Sequence, residues 1–102
     1  MRSKAEDLLT VRERILPHRD RLRQQYRVAR LAIFGSYARG DTRRHSDVDI
    51  LVDFEPGGAT FDNYMDLKFY LERLLHSRVD LVTIDALHPE LKSIILSEAV
   101  DV

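Results

Sequence analysis

Val28-Ala29-Arg30-Leu31-Ala32-Ile33-Phe34 runs directly into Gly35-Ser36-Tyr37-Ala38-Arg39-Gly40, and a polar connection later comes Asp47-Val48-Asp49-Ile50-Leu51-Val52-Asp53-Phe54. The first run is apolar, ends at a glycine and predicts a buried strand over 28–34. Gly35 to Gly40 predicts a turn into a brief helix, with both glycines free to take positive φ. From Asp47 to Phe54 the residues alternate. Val48, Ile50, Val52 and Phe54 share one face of a strand, and Asp47, Asp49, Leu51 and Asp53 share the other.

Outward from this stretch the periodicity changes to helical. Leu8, Val11 (or Leu9), Ile15 and Leu16 recur at helical spacing over about 4–16, and Leu22 and Tyr26 mark a second helical stretch. Pro17 stands between them and predicts a kink or a restart, because its ring removes a donor and clashes with the preceding turn. Downstream, Pro56-Gly57-Gly58 breaks the chain. Leu67, Leu71, Leu74 and Leu75, with Phe61 and Tyr64, predict an amphipathic helix over about 61–76. Phe61, Tyr64, Phe69 and Tyr70 all follow its spacing and are expected mostly in the core. Val79 to Ile84 predicts a third strand, and Leu91, Ile94, Ile95 and Ala99 a last helix after His88-Pro89. The order is α, β, short α, β, α, β, α. It predicts an α/β (α+β) fold, a small mixed sheet flanked by helices. One domain over 1–102 is expected, with a leading helical segment at 1–27 broken near Pro17 and an α/β core at 28–102.

Composition narrows the class. With 102 residues, 44% hydrophobic and 32% charged, the chain can bury a core, and disorder throughout is excluded. The absence of cysteine excludes disulfide scaffolds, thiolate zinc sites, iron–sulfur clusters and thiol catalysis. No apolar run approaches the roughly 18 residues that span a bilayer, and Met1 to Asp7 lead into no apolar signal segment. A cytoplasmic protein without a membrane partner is expected. The formal net charge of −1 gives no global attraction to nucleic acid. Residues 1–30 carry nine Arg/Lys against four Asp/Glu. Acidic residues interrupt that run and no aromatics interleave it, so it reads as a solvated helix face, with no direct nucleic-acid contact expected.

The chemistry lies in residues 34–53. Two aspartates two apart on a strand project from one face, about 6.6–7 Å apart along it. Their carboxylates can lean onto one Mg²⁺, which takes oxygen ligands and completes its octahedron with water and substrate phosphates. Gly35-Ser36 leaves a strand for a helical turn, which suits either an anion or an ordinary serine N-cap. Arg39 has the fork geometry for a triphosphate, or equally for a structural pair with Asp41 or Asp47. Arg43, Arg44 and His45 lie on the connection, where a loose electrostatic role is expected. Tyr37 either stacks on a base or, more safely, packs against the sheet. Asp53 is read as solvated and Asp85 as the N-cap of a following turn. His18, His45, His76 and His88 show no metal-ligand spacing and are expected at the surface or in caps.

Gly35-Ser36-x-Ala38-Arg39-Gly40 followed by Ser46-Asp47-x-Asp49-Ile50-x-Val52 resembles the signature of the DNA polymerase β-like nucleotidyltransferase superfamily. Over about 15–100, including Phe54-Glu55-Pro56-Gly57 and Val79-Asp80-Leu81-Val82, the chain resembles the minimal nucleotidyltransferase (MNT) antitoxins of HEPN–MNT toxin–antitoxin pairs. The resemblance implies the polymerase β-like minimal fold, with Gly35 and Ser36 as the nucleotide-phosphate pair and Asp47 and Asp49 as metal-binding carboxylates. It implies Asp80 as the third carboxylate, a metal ligand that helps deprotonate the acceptor. It also implies ATP as substrate, Mg²⁺ in a two-metal site, and transfer of AMP to a tyrosine hydroxyl of a cognate HEPN ribonuclease toxin in a hetero-oligomeric complex. A chain this short leaves no room for a separate acceptor domain, so the acceptor surface is expected to arrive with the partner. Two alternatives stand beside this: an antitoxin that neutralises by occlusion alone, and a small-molecule nucleotidyltransferase of the aminoglycoside-modifying kind.

Overall fold

The computed structural model describes residues 7–41 and 47–102. The expectations for Arg43, Arg44, His45 and Ser46, and for the start of the first helix, lie outside the described residues. In chain order the elements are α1 (Leu8–Ile15), a 3₁₀ turn (Leu16–His18), α2 (Arg19–Gln25), β1 (Val28–Phe34), α3 (Gly35–Arg39) and β2 (Val48–Phe54). Then come α4 (Phe61–Leu75), β3 (Val79–Thr83), a second 3₁₀ turn (Ile84–Ala86), α5 (Pro89–Glu98) and β4 (Val100–Asp101). The four strands form one mixed sheet in the order β3-β2-β1-β4. β1 runs antiparallel to β2 and β4, and β2 runs parallel to β3 through the α4 crossover.

Local chemistry sets the helix ends. The Asp7 carboxylate accepts from Thr10 N–H at 2.8 Å, and the Thr60 hydroxyl accepts from Asn63 N–H at 3.2 Å, capping α1 and α4. Asn63 also donates to the carbonyls of Tyr26 and Gly58, at 2.7 and 2.8 Å, so one side chain ties the entry of α4 to the end of α2. Pro17 falls inside the 3₁₀ turn and splits the leading segment into two helices, as its chemistry predicts. His88 caps α5 ahead of Pro89, and His76 closes α4 in the left-handed region. His18 meets the Tyr70 hydroxyl at 2.7 Å.

The sheet is covered on both faces. Val11, Ile15, Leu22, Leu67, Leu71 and Leu75 of α1, α2 and α4 pack on Leu31, Ile33, Val48, Ile50, Val52 and Leu81. On the other face Ile95, Leu96 and Ala99 pack on Ala32, Phe34 and Leu51. Tyr37 is buried against the first core, so packing is its role.

Several expectations are corrected. Phe61 and Phe69 are 66% and 49% exposed, because the buried stripe of α4 runs through Leu67, Tyr70, Leu71 and Leu75 and leaves them outside it. Leu91 and Ile94 of α5 are also exposed, since Ile95, Leu96 and Ala99 make its contact with the sheet. Leu16 and Leu9 are exposed, leaving Val11 and Ile15 as the buried residues of α1. Asp85 lies within its 3₁₀ turn, with Thr83 at the N-cap position. The strand β4 was not expected from the sequence.

Candidate active site

Backbone register assembles the site. Phe34 stands opposite Asp49 in the β1–β2 ladder, and Asp49 stands opposite Asp80 in the parallel β2–β3 ladder. Adjacent strands lie about 4.8 Å apart, so Asp49 and Asp80 are immediate neighbours although separated by a long helix in sequence. Alternation puts them on the face of Leu51 and Val82, the side that carries α5. Asp47, just ahead of β2, is exposed two residues before Asp49.

Gly35 follows β1 directly and opens α3 with φ +69°. A Cβ there would lie 2.1 Å from Asp49 Oδ2, so only glycine lets the turn and the carboxylate occupy this space together. Ser36 is the second residue of α3, and Phe34 holds the N-cap position, so Ser36 is not the N-cap. Gly40 ends the helix at φ +78°.

The charges are crowded. Burial first, then Asp80 as a like charge and hydrogen-bond partner, then Asp47, push the Asp49 carboxyl up to about 6. Arg39 opposes this weakly. Burial and like charges this close favour the protonated form of Asp49 when no counter-ion is present. Tyr64 of α4 donates its hydroxyl to the Leu81 carbonyl, beside Asp80 along β3. Burial, with the Asp80 charge, raises its hydroxyl pKa and keeps it a donor.

Arg39 is half exposed and pairs with Asp41 Oδ2 and Glu98 Oε1, each at 3.5 Å. Pairing with Asp41 is one of the roles the sequence left open for Arg39; Glu98 is a residue that sequence reasoning missed. Its Oε1 also accepts the Gly35 N–H at 3.1 Å. Nothing in the periodicity of α5 marks Glu98, because its partners come from α3. The structure therefore brings Gly35, Ser36, Arg39, Asp47, Asp49 and Asp80 to one end of the sheet. Asp53 lies further along β2, half-buried and opposite Arg30.

Among the described residues, no three His, Asp or Glu side chains are gathered tightly enough to cage a metal ion. The donor set nevertheless suits Mg²⁺, which binds through one or two carboxylates plus water and substrate phosphates. The crowding that raises Asp49 is also what a divalent cation would relieve.

Residues 17–102 match the family model described as nucleotidyltransferase domain. The protein adenylyltransferase MntA of Thermococcus cleftensis is 42% identical over 83 residues, covering 81% of this chain and 83% of the relative. A protein of Methanocaldococcus jannaschii, provisionally named a protein adenylyltransferase, is 49% identical over 75 residues, covering 74% and 80%. Among solved structures, one provisionally described as a minimal nucleotidyltransferase superposes with a TM-score of 0.82 at 41% identity, over 94% of this chain and 96% of that one. Two more distant structures share the fold. One is a toxin–antitoxin complex with AMP-PNP, with a TM-score of 0.68 at 24% identity over 87% of this chain and 69% of that one. The other is a complex of the tri-AMPylated Shewanella oneidensis HEPN toxin with its MNT antitoxin, with a TM-score of 0.64 at 21% identity over 89% and 70%. The chain belongs to the nucleotidyltransferase family, where it stands with the minimal nucleotidyltransferases and the protein adenylyltransferases.

Proposed function

We propose that this chain is the antitoxin of a toxin–antitoxin pair and transfers AMP from ATP, with Mg²⁺, to a tyrosine hydroxyl of a cognate HEPN toxin. The carrying observation is the in-register pair Asp49–Asp80, with the Asp49 carboxylate packed against Gly35. It supports the reading because two carboxylates of a kind that suits Mg²⁺ lie beside a glycine turn with a close backbone approach. The adenylyltransferase names of the relatives at 42% and 49% identity support AMP as the transferred group.

In the proposed reaction the acceptor oxygen bonds to the α-phosphorus of ATP. The bond from that phosphorus to the pyrophosphate oxygen breaks, and pyrophosphate leaves. The acceptor proton passes to the Asp80 carboxylate, whose exposed position at the start of the edge strand leaves it accessible to an incoming side chain. Gly35, Ser36 and Arg39 hold the leaving phosphates, and Asp47, Asp49 and Asp80 hold the metal. Bound Mg²⁺ supplies charge neutralisation and polarisation of the transferred phosphoryl group.

The test is to incubate the protein with labelled ATP, Mg²⁺ and the HEPN protein encoded beside it. Label on a toxin tyrosine, absent without Mg²⁺, supports the proposal. An unlabelled toxin that is still neutralised overturns it in favour of occlusion. Label on a small-molecule hydroxyl instead overturns the choice of acceptor.

A further inference from the structure

Glu98 stands out because local structure does not account for it. It is the last residue of α5, where the helix dipole disfavours a carboxylate, and no basic residue shares its turn. Its side chain is only 29% exposed. What offsets these costs lies across the chain: one oxygen, Oε1, accepts the Gly35 N–H at 3.1 Å and faces Arg39 Nη1 at 3.5 Å. A backbone amide and a guanidinium converging on one anionic oxygen are also the groups that would receive a phosphate oxygen.

We infer, on the nucleotidyltransferase reading of the site, that the Glu98 carboxylate is the resident anion of the phosphate subsite, and that an incoming polyphosphate must displace it. The backbone of Glu98 is fixed on both sides. Ile95, Leu96 and Ala99 pack on the sheet, and Val100 pairs with Ile33. Displacement is therefore a side-chain rotation, which releases Gly35 N–H and Arg39 Nη1 together, while Arg39 Nε keeps its pair with Asp41. Until it turns away, the carboxylate repels the phosphate and occupies its donors. A carboxylate that holds the subsite about nine-tenths of the time weakens apparent polyphosphate affinity about tenfold.

The experiment is calorimetric titration of the intact protein and of Glu98→Gln with inorganic tripolyphosphate, which has no base or sugar, and with Mg·ATP. The amide keeps the size of the side chain and loses its charge, so Glu98→Gln is expected to bind tripolyphosphate about tenfold tighter. Equal or weaker binding overturns the inference. Unaltered protein gives a second readout that needs no variant. The Glu98 carboxyl carbon resonance of glutamate-labelled protein should shift on saturation with tripolyphosphate, and an unmoved resonance also overturns the inference. If neither protein binds Mg·ATP or tripolyphosphate, the nucleotidyltransferase reading fails and this inference fails with it. Binding by both at equal affinity removes Glu98 alone.

Discussion

Burial, and then like-charged neighbours, disfavour the charged form of Asp49 and so couple stability to pH. Its carboxyl rises from an ordinary 3.8 to about 6 in the folded protein. Between those values the native state binds more protons than the unfolded state, so this group's contribution is fullest below about pH 4 and is lost as pH rises through 6. Asp49→Asn removes the titration. Without metal, its melting temperature should equal or exceed that of the unaltered protein at pH 7, and its profile between pH 4 and 7 should be flatter. Thermal melts in chelator across that range check this, and a fall of tens of degrees would make Asp49 structural. The same substitution should abolish transfer. Asp80 separates chemistry from binding. Asp80→Asn should slow single-turnover transfer by roughly 10²–10⁴-fold, the range for a positioned base, while Mg²⁺-dependent ATP binding persists. Undiminished transfer would remove Asp80 from the site.

The short β4 forms the edge of the sheet beside β1. It pairs Ala32 with Asp101 and Ile33 with Val100, adds the Val102 N–H to Leu31 carbonyl bond at 3.0 Å, and brings Asp101 to Arg30 at 2.8 Å. The ion pair is exposed and worth little, but the backbone bonds cover one edge of β1, the strand that delivers Gly35. At about 1 kcal/mol net for each hydrogen bond, ending the chain after Ala99 should cost roughly 1–3 kcal/mol. Urea denaturation measures this, and an unchanged midpoint would mean that β4 contributes nothing to stability. Because Glu98 lies one residue before the cut, the truncated protein should also bind tripolyphosphate differently from the full chain.

For the whole molecule, the sheet has a core face under α1, α2 and α4 and a second face shared between α5 and the site. Several large apolar residues lie outside both cores, among them Leu9, Phe61, Leu91 and Ile94, which is 60% exposed. Their removal should therefore leave the fold intact. Ile94→Gln should change unfolding free energy by less than about 0.5 kcal/mol, as surface substitutions do. A loss of 2 kcal/mol or more on denaturation would place Ile94 in a packed contact. No helix among the described residues is long and apolar enough to cross a membrane.

Much of this was legible in one dimension because the signals are local. The apolar run 28–34 became β1 with those bounds, the alternation from Asp47 to Phe54 became β2, which begins one residue later at Val48, and Pro17 split the leading helices. Gly35 could be singled out because a strand that ends in a glycine turn has few uses, and Asp47 with Asp49 because a strand's period of two puts them on one face. Pairing across the chain could not be read from local patterns. Only the parallel register of β2 with β3 sets Asp80 beside Asp49, and burial, with that like charge second, pushes Asp49 up to about 6. Periodicity states that a helix has an apolar side but not how much of it a sheet covers, so Phe61 and Phe69, expected mostly in the core, lie outward, as do Leu91 and Ile94 of the α5 pattern. β4 has two residues, too few to show a period. Glu98 meets Gly35 across sixty-three positions of sequence. The sequence determined which residues can carry the chemistry, because residue type and local spacing are properties of the chain. Tertiary structure decided which of them meet, because distance between strands and helices is a property of packing.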